Sequence, residues 1–208
     1  MEHKFRRPAM LDPEMAEYII GDEDPADGSG LAHSTAWALL GQPSVDFSEE
    51  DVPKVLEAVR SKGVDILAGA WARSPEFTLP GALWRIYLMY QWYQMNPGVL
   101  YERYQEGMAA MKGGSGASLE SAPNLDEVIL AIEGVLAGYA TEDDLASVFE
   151  VTAESMRVLA ASAKYGPQWI TEDTHALANP VTRRDTALLD TASELDESAK
   201  QAKAGALN

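Results

Sequence analysis

An all-α fold is what this sequence predicts: a multi-helix bundle built around one aromatic-rich helix, with a trihelical unit toward its C-terminal end. Three observations carry that expectation. No segment keeps the apolar–polar alternation of a half-buried strand, and no hairpin turn signal joins two such runs. Ala, Leu and Glu are abundant while β-branched residues rarely cluster, which favours helix. Apolar residues instead recur at three- and four-residue spacing between proline, glycine and capping residues, marking out about seven to nine helices.

Residues 1–30 carry Pro8, Pro13, Pro25 and the run GDEDPADGSG, which read as an N-terminal arm with a short helix from Pro13 to Ile20 and then an acidic loop. Asp22, Asp24 and Asp27 are a poor calcium loop, because Gly28 falls in the wrong register and no Glu stands at the twelfth position. A solvated loop is expected. Residues 31–111 then form a helical domain. Its first helix, Gly30 to Leu40, stops at Gly41 and Pro43. Ser48 is placed to cap a second, in which Val52, Val55, Leu56 and Val59 recur at helical spacing. Gly63 ends or interrupts it, and the apolar pattern continues to Trp71 before Ser74 and Pro75.

The run PGALWRIYLMYQWYQM follows, opened by Pro80 and closed by Asn96 and Pro97. Proline suits a first helical turn, where its missing N–H would have no partner anyway, and the residue before a proline is pushed out of helix. Projected at helical period, Leu83, Ile86, Tyr87, Tyr90 and Tyr93 share one side, while Trp84, Leu88, Trp92 and Met95 share the other. A helix apolar on opposite sides must be enclosed, since each aromatic withdraws about 150–250 Å² from water. Core packing is therefore the first role of these rings. A ligand pocket or an oligomer interface at Trp84, Tyr87, Tyr90 and Trp92 is the functional alternative. Arg85 and the short run exclude a membrane span. Residues 79–87, LPGALWRIY, and their flanks are similar to segments of largely helical actinobacterial proteins, a resemblance that implies a helical fold and brings no activity with it.

Pro97 to Met111 starts a further helix with Leu100, Tyr101 and Tyr104 as its stripe. KGGSGASLESAPN, residues 112–124, is too rich in Gly and Ser to bury anything and reads as a flexible linker. Residues 125–170 form the trihelical unit. Asn124 caps the first helix, Thr141 with Asp144 caps the second, and Thr152 opens a third that ends near Gly166 and Pro167. LASVFEVTAESMRVL resembles the helix-turn-helix signature: Phe149 and Val151 bracket the turn, and Met156 with Leu159 face inward. That resemblance implies Thr152, Ala153, Glu154, Ser155 and Arg157 as the DNA-facing residues. Glu150 stands where such proteins carry glycine, so the residue suited to a left-handed turn is missing. Residues 125–170 also hold eight acidic side chains against Arg157 and Lys164, too few cations for a phosphate backbone. The tail, residues 171–208, is thin in apolar residues and reads as a docked helix or a partly disordered arm.

The net charge of −17 disfavours generic nucleic-acid and anionic-lipid binding. Absence of cysteine excludes disulfides and thiolate chemistry. His3, His33 and His175 are isolated, and no phosphate loop, dinucleotide fingerprint or nucleophile elbow is present. The sequence thus implies no catalytic residue, cofactor or metal, and a cytoplasmic location. Its leading functional reading is a non-enzymatic regulatory or protein-interaction protein, acting on a protein partner or by self-association. The alternatives are a helix-turn-helix regulator and, third, a small-molecule-binding protein or enzyme with an aromatic pocket around Tyr87, Tyr90 and Trp92.

Overall fold

The computed structural model describes residues 25–113, 122–162 and 185–208, which form eight α-helices packed as a bundle, with no strand among them. In chain order they are α1 (Pro25–Leu39), α2 (Val52–Lys62), α3 (Asp65–Trp71), α4 (Leu79–Met95), α5 (Pro97–Gly113), α6 (Leu125–Leu136), α7 (Glu142–Ala160) and α8 (Asp185–Lys203).

Helix α4 starts where Thr78, in extended conformation, accepts a hydrogen bond from the Gly81 N–H at 3.2 Å. It ends at Asn96, ahead of Pro97. It packs against α1, α3, α5, α6, α7 and α8. Leu83, Ile86, Tyr87, Met89 and Trp92 are buried accordingly, so both apolar sides of the helix have cover. Asn124 caps α6 by accepting from the Asp126 N–H at 2.9 Å, and Thr141 with Asp144 forms a reciprocal capping box on α7. Among the described residues no helix is long and apolar enough to cross a membrane.

Four sequence expectations need correction. Helix α1 begins at Pro25, within the stretch expected to be an acidic loop, because proline is preorganised for a first turn. The expectations for residues 1–24 lie outside the described residues. Ser48 does not cap α2. Asp51 is the boundary, Pro53 occupies the first turn, and Ser48 instead donates its hydroxyl hydrogen to the Asp51 carboxylate at 2.6 Å. Of the expected linker, Lys112 and Gly113 belong to α5 and most of the rest lies outside the described residues.

The fourth correction concerns the helix-turn-helix. Residues 142–160 are one uninterrupted helix, with no turn at Glu150. No described residue other than glycine takes a positive φ, so nothing there supplies the left-handed turn. Thr152, expected to open a new helix, donates its hydroxyl to the Val148 carbonyl one turn back at 2.6 Å. Leu145, Phe149, Thr152, Met156 and Leu159 then form one buried stripe.

Of the two forms expected for the tail, residues 185–203 take the docked helix. α8 lies along α7, with ion pairs Arg157–Asp196 and Lys203–Glu150. As the number rises on one helix it falls on the other, so the two run antiparallel. Leu188, Ala192, Leu195, Ser198 and Ala199 are buried, and the small residues let the backbones approach closely where the sequence shows only a sparse leucine stripe. Arg85 of α4 pairs with Glu194 at 2.5 Å, and the Leu79 N–H donates to the Asn208 carbonyl at 2.5 Å. The latter satisfies a first-turn donor of α4 that the helix itself leaves open.

Where α5 crosses the end of α7, Arg103 is fully buried; its Nε donates to the Leu159 carbonyl at 2.8 Å, and its guanidinium lies 5.4 Å from the Trp92 ring centroid. A cation at a helix C-terminus opposes the dipole's negative end.

Candidate functional site

Gly63 ends α2 with φ of +90°, a conformation that suits glycine, and the chain turns straight into α3. That turn brings Asp65, in the first turn of α3 where the helix dipole favours a carboxylate, beside the middle of α4. Tyr87 and Gln91 are one turn apart on α4 and both donate to the same oxygen, Asp65 Oδ1, the phenol at 2.6 Å and the amide at 3.0 Å. Tyr87 is fully buried and Gln91 is 8% exposed. Burial, and then the Asp65 carboxylate, push the Tyr87 phenol well above its ordinary value.

These groups form one wall of an open cleft of about 730 Å³, completed by Tyr90, Gln94, Glu133 of α6 and Tyr139 just beyond it. Tyr90 is raised by burial first and by the Glu133 charge next, which places both carboxylates within its electrostatic reach. Arg60 of α2 closes the far end. It donates to the Ala137 and Gly138 carbonyls at 3.3 and 2.8 Å, and its guanidinium sits 4.6 Å over the Tyr139 ring. Tyr139 itself is 70% exposed. The cleft therefore offers carboxylate, amide and phenol oxygens between aromatic faces, while its own cation is engaged with the end of a helix.

Only part of the expected aromatic site converges here. Tyr90 lines the cleft and Tyr87 supports it through Asp65. Trp84 is half-buried and stacks on Tyr87 at 5.3 Å. Trp92 is buried near Arg103, away from the opening. The expected DNA-facing set is dispersed. Thr152, Ala153 and Ser155 are fully buried, Glu154 is half-buried, and Arg157 is paired with Asp196. No base edge can reach the first three, so the implied readout face does not exist in this fold.

Asp65, Gln91, Glu133, Arg60 and Tyr139 escape sequence reasoning because four elements bring them together and no short spacing links them. The one local signal is an acidic residue just after Gly63 at a helix start. A second hollow, lined by Leu31, His33, Trp37, Val45, Asp46 and Glu142, lies between α1 and the following loop; His33 Nδ1 lies 2.8 Å from the Ser29 carbonyl oxygen. Among the described residues no group of three or more His, Cys, Asp or Glu is placed to hold a metal ion. Comparison of the chain with protein-family models, curated proteins and solved structures gave no match, so the likeness of residues 79–87 to actinobacterial helical proteins gains no support from them.

Proposed function

We propose that the protein is a non-enzymatic interaction module and that a protein partner docks at the cleft between α2, α3, α4 and α6. One observation carries this reading: Tyr139, 70% exposed, holds the Arg60 guanidinium on its face at the mouth of an oxygen-lined cleft. Tyr and Arg are the residues that most often dominate binding energy at protein interfaces. Here the arginine is already fixed by two helix-end carbonyls, so little of its rotamer freedom is lost on association. Leu130, 68% exposed, lies one turn from Glu133 on α6 and adds an apolar group beside the cleft.

A photo-crosslinking residue introduced at Tyr139 tests this in cells, with the same residue at exposed Leu189 on α8 as control. The expected result is a discrete protein adduct from position 139 alone, whose identified partner, purified separately, binds the wild-type chain and loses affinity for Tyr139→Ala. Equal adducts from both positions, or none from position 139, would overturn the reading.

A further inference from the structure

Independently of the cleft, we propose that the N-terminal segment of this same chain docks in the hollow beside α1, with residues 13–20 laid along the helix and Lys4, Arg6 and Arg7 meeting the hollow's carboxylates. The hollow measures about 950 Å³. Leu31, Trp37, Pro43 and Val45 make its lining mainly apolar, and the exposed Asp46 and Glu142 add negative charge. Leu31 is 47% exposed and Val45 completely so. The loop holds Val45 out in a defined turn: the Ser44 N–H donates to the Phe47 carbonyl at 2.8 Å, and the Phe47 N–H donates to Ser44 Oγ at 3.3 Å. A β-carbon added at Gly30 would meet nothing within 4 Å among the described residues, so the same face of α1 is open to a second helix.

Length, pattern and charge all point to the chain's own N-terminal segment as the occupant. Residues 1–24 lie outside the described residues, and the chain enters α1 at Pro25, five positions before Gly30. Residues 21–24 extend to about 13 Å, enough to reach the α1 face as far as Ser34. Gly21 permits the reversal this needs. Eight helical residues then cover about 12 Å, the length of the hollow's α1 wall from Leu31 onward. Met15, Tyr18 and Ile19 recur at three- and four-residue spacing and give that stretch one apolar stripe to set against Leu31, Trp37 and Val45. Beyond Pro13 the chain carries Lys4, Arg6 and Arg7, complementary to Asp46, Glu142 and the adjacent Asp143. A second copy fits less well, because each carries a net charge of −17 and brings the same carboxylates to the contact.

The chain has no cysteine, so a nitroxide can be attached at one chosen position of the full-length protein. The test reads amide intensities of isotope-labelled protein carrying the nitroxide at Val45→Cys, with Leu189→Cys on α8 as control. Expected is that the amides of residues 13–20 lose most of their intensity with the label at 45, regain it when the nitroxide is reduced, and are unaffected by the label at 189. Tyr18→Asp with Ile19→Asp should restore the intensities, and Arg6→Glu with Arg7→Glu should restore them in part, both with unchanged far-UV circular dichroism. Intensities indifferent to the label at 45, equal losses from both label positions, or losses that ignore both pairs of substitutions would overturn the proposal. Losses that pass from nitroxide-labelled molecules to separately isotope-labelled ones in a mixture would overturn it too, since the occupant would then be a second copy. None of these outcomes bears on the adduct at position 139, so this proposal and the interaction module fail separately.

Discussion

Tyr87 and Asp65, 22 residues apart, meet at 2.6 Å and join the middle of α4 to the start of α3. That bond and the Gln91 amide on the same oxygen together set the orientation of the carboxylate that lines the cleft. Tyr87→Phe keeps the ring's packing and deletes the donor. The expected loss is about 1–2 kcal/mol, read from the urea midpoint at unchanged m-value.

Alkaline titration probes the same region. Burial chiefly raises Tyr87, Tyr90 and Tyr104, and the hydrogen bond to Asp126 pushes Tyr101 up to about 12. Folded values above the unfolded value of about 10 mean that this stabilisation is complete below that pH and is lost as pH rises through the folded values. Phenolate absorbance of the native protein should therefore lag that of the urea-unfolded chain above pH 10. Coincident curves would contradict the enclosure of α4 and α5.

Acid acts on helix starts instead. Lys54 first, and Ser48 next, hold Asp51 down at about 2, and the Thr141 backbone N–H lowers Asp144. Folded values below the unfolded one give stability present above about pH 4 and lost as pH falls toward about 2. Asp51→Asn should flatten the pH dependence of the thermal midpoint in that window and leave it unchanged near neutrality in slope.

Leu195 is completely buried and Leu189, on the same helix, is 47% exposed. Leu195→Ala should destabilise the whole protein by about 2–4 kcal/mol in a single cooperative transition, and Leu189→Ala by less than about 1 kcal/mol. A separate low-temperature transition confined to α8 would contradict its place in the common core.

Gly107 of α5 faces the Val158 backbone of α7 so closely that a β-carbon there would overlap the carbonyl oxygen. Backbone, unlike a flexible side chain, cannot step aside. Gly107→Ala should therefore lower stability by about 1–3 kcal/mol by denaturant titration, although alanine is the better helix former.

Helix positions are legible in this sequence wherever a local signal sets them. Pro80 and Pro97 bracket α4, Asn124 caps α6, and Thr141 with Asp144 starts α7, because each satisfies or removes a backbone group within a few residues. The failures share a cause as well. Thr152 follows a phenylalanine–acidic–valine run that suits a turn, but its hydroxyl is better placed against the Val148 carbonyl inside a helix. α8 shows few leucines because Ala192, Ser198 and Ala199 bury by close approach and not by bulk. The cleft was illegible for a different reason: Arg60, Asp65, Gln91 and Tyr139 become neighbours only after four helices have packed.

The Leu79 N–H bond to the Asn208 carbonyl also orders events during synthesis. Helix α4 leaves the ribosome more than a hundred residues before its first turn can be completed. Through that interval its indoles and phenols lack part of their final cover, and α7 still waits for the small buried residues that the antiparallel helix α8 brings. The nascent chain is thus most vulnerable to self-association just before residues 185–208 emerge, and holding it as an unaggregated intermediate falls to chaperones or to its own strong negative charge.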